Sequence, residues 1–209
     1  LRNELDGKLG RFHMGYTVAG RFGTDLARPY FCVFASSLES KWGEVLRLVP
    51  EVLLETSYAD KAAIGNLLKQ RRIGKERSTT GLGARPYPFR RAAAQLTVRG
   101  AIEERLNGFA QIRHLQQADA AFAQQADAYC ARLAALAKKI FVKERAVACL
   151  TDNVPARWAG DLVARLPHGT MGATAVHPLF PRCKEGFRIA AGIGFAARVA
   201  HPSKAVHSG

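Results

Sequence analysis

What the chain conspicuously lacks is acid. Seventeen Asp and Glu stand against thirty-one Lys and Arg, a formal charge of +14. That balance favours nucleic acid, anionic membranes or acidic protein surfaces as partners, and it speaks of association rather than of fold. Long apolar runs are missing as well. The longest mildly apolar stretch, Ile189 to Ala197, is broken by Gly192 and Gly194 and is only about half of the roughly 18 residues that a membrane-spanning helix needs. Cysteine is sparse, and no two of Cys32, Cys130, Cys149 and Cys183 share the C-x-x-C spacing of a structural zinc site or a redox motif. A reducing, cytoplasmic location is expected. The chain opens at Leu1 without an initiator Met or a basic-then-apolar leader, so no targeting signal is read and the sequence is expected to be a piece of a longer protein.

The motifs of the common hydrolases and nucleotide enzymes are also lacking. A zinc hydrolase needs two histidines one helical turn apart with a glutamate to activate the metal-bound water. His13, His114, His168, His177, His201 and His207 have no glutamate at either the H-E-x-x-H or the H-x-x-E-H spacing. No G-x-S-x-G is present, and Ser36-Ser37 sits where a helix cap is expected. Gly192-x-Gly194-x-x-Ala197 imitates a dinucleotide fingerprint, but its alternating pattern continues through both glycines and too little chain follows for a βαβ unit. Cys32 in an apolar strand and Cys130 on an apolar helical stripe read as small hydrophobes. No catalytic, metal-binding or cofactor-binding residue is assigned.

What is present is a core-forming pattern: 48% of the 209 residues are hydrophobic, enough for one domain or one domain and part of another. Phe12, Met14, Tyr16 and Val18 alternate, and Tyr30 to Ala35 is aromatic and β-branched, which predicts two antiparallel strands around a turn at Gly20 to Arg28. Ser36 and Glu39 have capping-box spacing ahead of an apolar stripe at Trp42, Val45, Leu46, Val49, Val52 and Leu53, interrupted by Pro50. Ser57 and Asp60 repeat that spacing before Ile64, Leu67 and Leu68. A loop is expected over Ser78 to Pro88, with helix resuming near Phe89 and running over Ala92 to Leu115 and Ala118 to Ile140. Phe122, Ala126, Tyr129, Cys130, Leu133, Leu136, Ala137 and Ile140 mark the buried face of the last stretch. Arg145 to Thr151 reads as a strand, and Pro155 precedes a short helix through Trp158 and Leu162 that Pro167 stops. The alternation from Phe187 to Val199 predicts one long strand. Strands at both ends and helices grouped between them give an α+β fold, an antiparallel or mixed sheet covered on one face by helices.

Basic residues gather in three places: Lys69, Arg71, Arg72, Lys75 and Arg77; Arg90 and Arg91; and Lys138, Lys139, Lys143 and Arg145. On one shared face they would make a phosphate footprint. No helix-turn-helix, RNP or finger pattern accompanies them, and helix ends attract Lys and Arg through the dipole, so solvated surface is the favoured reading.

The strand Tyr30 to Ala35, the helix from Glu39-Ser40-Lys41 to Val49, the run Leu53-Leu54-Glu55-Thr56-Ser57-Tyr58-Ala59-Asp60-Lys61 and Asn66-Leu67-Leu68-Lys69-Gln70 together resemble the associated module in the carboxy-terminal half of presequence-protease-like zinc metallopeptidases, of the pitrilysin/insulinase superfamily. Ala92 to Arg105 with Gly108 and a long helix resembles that module's helical stretch, and Lys184 to Ile189 resembles the start of the next homologous domain. The resemblance implies a metallopeptidase-like α+β domain over 1–167, truncated at its amino-terminal edge, a linker over 168–185 and the opening strand of a further domain over 186–209. It implies zinc on an H-x-x-E-H motif in another part of the parent enzyme and no cofactor in this chain. The implied partners are the amino-terminal catalytic half and an unfolded peptide substrate, with no membrane. The expected function is that of a non-catalytic half of a peptide-enclosing chamber, with a basic module for nucleic acid or acidic protein surfaces as the alternative. Sheet edges left bare at 12–18 or 187–199 would favour self-association.

Overall fold

The computed structural model describes residue 5, 7–20, 24, 26–80, 84, 86–151, 155, 157–170 and 177–181, and the backbone of 188, 189, 192 and 193. The chain divides into two compact units, one of Leu1–Gly15, Phe31–Lys61 and Gln125–Thr174, the other of Tyr16–Tyr30, Ala62–Gln124 and Ala175–Gly209. The architecture is α+β. Strands β1 (Arg11–Gly20) and β2 (Ala27–Ser36) form a two-stranded sheet. The Gly10 amide donates to the Ser36 carbonyl, and Gly20 lies against the Leu26 carbonyl at the other end, which fixes the antiparallel register. A 3₁₀ turn at Glu39–Lys41 leads into α1 (Trp42–Leu54), followed by α2 (Lys61–Arg77), α3 (Pro86–Ala94), α4 (Val98–Asn107), α5 (Phe109–Ile140), a 3₁₀ turn at Lys143–Arg145 and α6 (Arg157–Ala164). Among the described residues no helix is long and apolar enough to cross a membrane.

In the first unit, α1 buries Val45, Leu48, Val49 and Val52 against Leu5 and Leu9, with Phe12, Val33, Trp42, Leu53 and Leu162 packed around them. The i, i+3, i+4, i+7 spacing puts these side chains on one stripe, each adding up to about 1.5–3 kcal/mol by burial. Pro50 is buried inside α1. Its missing N–H leaves the Leu46 carbonyl without its helical donor, and the helix is closed at its carboxy end by the Glu55 amide donating to the Glu51 carbonyl. Trp158 of α6 stacks on Trp42 with centroids 5.0 Å apart, and Phe31 of β2 meets Phe141 edge-on at 5.4 Å.

In the second unit α3 and α4 form a tight helical hairpin. A Cβ on Gly100 would collide with the Ala93 carbonyl, so only glycine permits this approach. Tyr87, Ala92, Ala94, Ala101, Ile102, Ile112 and Leu115 are buried around it. Glu104 is fully buried and faces Arg91 at 3.7 Å, and its carboxylate accepts from the Ala110 amide. Arg72 of α2 reaches across to Asp119 of α5 at 2.6 Å and along its own helix to Glu76 at 2.7 Å. The segment 177–181 docks on the same hairpin. The Phe180 amide donates to the Ala94 carbonyl, its ring lies 4.3 Å from the Arg91 guanidinium and 4.7 Å from that of Arg105, and Arg105 donates to the Pro178 carbonyl.

Several sequence expectations are corrected. Ser36 ends β2 and caps no helix; neither the 3₁₀ turn nor α1 has a side-chain cap. Ser57 Oγ accepts from the Ala59 amide in a turn ahead of α2. Helix begins at Pro86, inside the expected loop, because the first turn of a helix needs no N–H from Pro86 or Pro88. The expected continuous helix over Ala92 to Leu115 is cut at Gln95–Thr97, where Thr97 Oγ1 accepts from the Gly100 amide and starts α4, and again at Gly108. The expected joint before Ala118 is absent, and α5 departs from helical angles at Gln125 instead. On its stripe only Cys130 is buried, and Leu136 is 52% exposed. Arg145 to Thr151 is not a strand: after the 3₁₀ turn it pairs with no strand among the described residues, and Val147 is 84% exposed. The single strand over Phe187 to Val199 is replaced by β3 (Arg188–Ile189) and β4 (Gly192–Ile193), paired antiparallel with Arg188 opposite Ile193. The rest of that alternating run lies outside the described residues.

Candidate functional site

The side chains that could carry chemistry are mostly dispersed. His13 on β1 stacks with Phe34 at 6.2 Å, His114 is exposed on α5, and His168 pairs with Glu144 at 2.9 Å. Cys32 is half-buried, Cys130 buried and Cys149 exposed. His201, His207 and Cys183 lie outside the described residues. Among the described residues no group of three His, Cys, Asp or Glu could hold a metal ion.

The basic segments separate into spent and available cations. Arg72 is committed to Glu76 and Asp119, and Arg91 to Glu104 and the Phe180 ring. Lys138, Lys139, Lys143 and Arg145 belong to the other unit. Arg71, Lys75 and Arg90 come together. Arg71 and Lys75 of α2 and Ser78, the residue just after it, follow at i, i+4 and i+7 on a single face. The first turn of α3 brings Tyr87 and Arg90, three residues apart, to the same place.

The cluster is braced by a chain of short contacts. Ser78 Oγ donates to the Lys75 carbonyl at 2.7 Å, and since a serine has one proton to give, the Tyr87 hydroxyl is the donor in its contact with Ser78. The Tyr87 ring is buried, packs on Phe109 at 5.1 Å, and carries the Arg90 guanidinium 5.7 Å above its centroid. Lys75 Nζ donates to Asn107 Oδ1 at the end of α4. Burial holds the Lys75 amine below the ordinary lysine range, and the charges of Arg71 and Arg90 push it the same way. On β1, burial raises the Tyr16 phenol against the opposing pull of Arg90 and Arg71. Among the described residues none of Arg71, Lys75 and Arg90 has a carboxylate partner; the nearby Glu103 is held by Arg99 at 2.9 Å.

Three cations around one spot can hold an anion. They offer neither a nucleophile with its base nor a metal cradle. The spacing of Arg71 and Lys75 is legible in the sequence as one helix face, whereas Ser78 falls in the expected loop. Tyr16 and Asn107 are not legible, because only the fold brings them to α2.

No curated protein matches the chain. Over residues 1–117, which contain β1, β2, α1 to α4 and every member of the cationic cluster, it matches the family described as Peptidase M-16C associated, the associated module of pitrilysin/insulinase-type peptidases. With more than half its length covered by that match, the chain belongs to this peptidase-associated family and is a non-catalytic module of it.

Proposed function

We propose that the chain is the carboxy-terminal-half module of a zinc metalloendopeptidase that degrades unfolded peptides, and that it forms part of the wall of the closed peptide chamber. The observation that carries this reading is the family match over residues 1–117. Zinc chemistry belongs, in this reading, to the amino-terminal half of the parent. The described residues here do not fit a metal site. What this chain contributes is enclosure: the α3–α4 hairpin packs closely at Gly100, and among the described residues the β1 and β2 strands pair only with each other, which leaves edges to which an extended peptide can add as a strand. Closing such walls around a peptide selects unfolded, chamber-sized substrates.

The test is hydrolysis of an unstructured fluorogenic peptide by the chain alone and by the chain with the polypeptide encoded upstream, each with and without a chelator. Chelator-sensitive cleavage confined to the mixture is expected. Cleavage by the lone chain, or silence in the mixture, overturns the reading.

A further inference from the structure

We infer that Arg71, Lys75 and Arg90 form a binding site for carboxylates of an acidic peptide segment. The peptide assignment rests on the chamber reading above; the anion chemistry stands on the geometry alone. Three cations are brought together by α2 and α3, and among the described residues the carboxylates around them are engaged by other cations: Glu76 and Asp119 by Arg72, Glu103 by Arg99 and Glu104 by Arg91. Repulsion among the three is left for a ligand to relieve. Lys75 is fixed by Asn107 and the hydroxyl relay beneath it, and Arg90 by the Tyr87 ring, so the donors are ordered before any ligand arrives.

The site is a spot and not a track. Nucleic acid is held by a succession of phosphate contacts along a charged stripe. The cations that would extend this patch, Arg72 and Arg91, are neutralised by Glu76, Asp119 and Glu104. At about 100° per residue, Lys69 and Arg77 fall on the far side of α2 from Arg71 and Lys75. A compact trio matches the one or two carboxylates of a peptide.

The experiment is fluorescence anisotropy of the full chain with short, labelled, unstructured peptides. One series replaces Asp and Glu by Asn and Gln while keeping a free carboxy terminus, and a second keeps Asp and Glu but amidates the terminus; the series that loses binding identifies the carboxylate. Lys75→Gln and Arg90→Gln are each expected to weaken the acidic peptide about tenfold. Lys69→Gln and Arg77→Gln, which remove the same charge from the far face, are expected to leave it unchanged. Circular dichroism checks that each variant is folded, and the peptide series on the unaltered chain needs no variant. Equal binding of acidic and fully neutral peptides overturns the proposal, as does an equal effect of near-face and far-face variants or tighter binding of a single-stranded oligonucleotide. Silence of the mixture with the upstream polypeptide in the cleavage assay, with peptide binding intact, overturns only the chamber reading.

Discussion

Glu144 is gripped from several sides. His168 Nδ1–H donates to it at 2.9 Å, and the amide of Gly169 donates at 2.7 Å. The His168 contact first, then the backbone amides of Glu144 and Gly169, hold its carboxyl down to about 2. A folded value below the unfolded one contributes stability that is complete above the ordinary carboxylate range and is lost as pH falls through about 2. Removing the largest cause by His168→Ala should move the midpoint of Glu144 up toward that range, read by carbon-detected NMR titration; an unmoved midpoint would refute the attribution. Gly108 makes a steric demand of a different kind. A Cβ there would overlap the buried Glu104 carboxylate, and Glu104 cannot retreat, being held by the Ala110 amide with Arg91 alongside. Gly108→Ala should cost about 1–3 kcal/mol in chemical denaturation.

At the scale of elements, Thr97 separates two helices that composition joins. Its hydroxyl takes the Gly100 amide, one of the four N–H groups a helix start leaves without partners. Thr97→Ala should destabilise the chain by about 1 kcal/mol, with fraying of α4 visible in amide exchange. That cap also marks the limit of what is legible in the sequence. The ribbon and α1 are readable because period-two alternation and the Val45, Val49, Val52 spacing are strong local signals, although the fully buried position is Leu48 where the expected stripe has Leu46. The break at Gln95–Thr97 is not, since Ala, Gln and Leu favour helix equally on both sides and the turn exists so that Ala93 can approach Gly100. Arg145 to Thr151 fails as a strand for the converse reason: its residues favour extension, but a strand needs a neighbour. Among site residues, Arg71 and Lys75 can be placed on one face from spacing alone, whereas Tyr16 and Asn107 are set by tertiary packing.

For the whole molecule, two features govern its behaviour in solution. The ribbon exposes Tyr30, Phe31 and Phe34 at 45%, 47% and 58%, and its strands have only each other as neighbours among the described residues. Open, aromatic edges of this kind recruit another copy. Light scattering coupled to size exclusion should show self-association rising with protein concentration, and Phe34→Lys should suppress it; a monomer at all concentrations would contradict the expectation. The formal charge of +14 opposes that association, so added salt should promote it by screening.

The docking of 177–181 on the helical hairpin has a kinetic meaning. Arg105 and the Pro178 carbonyl are 73 positions apart, while the contacts that close α3 on α4 are a few residues apart. Local contacts form early and distant ones wait for the intervening chain to be ordered. The slot between Arg91 and Arg105 is therefore expected to form before Phe180 reaches it, which leaves both guanidinium faces open to the solvent until that docking.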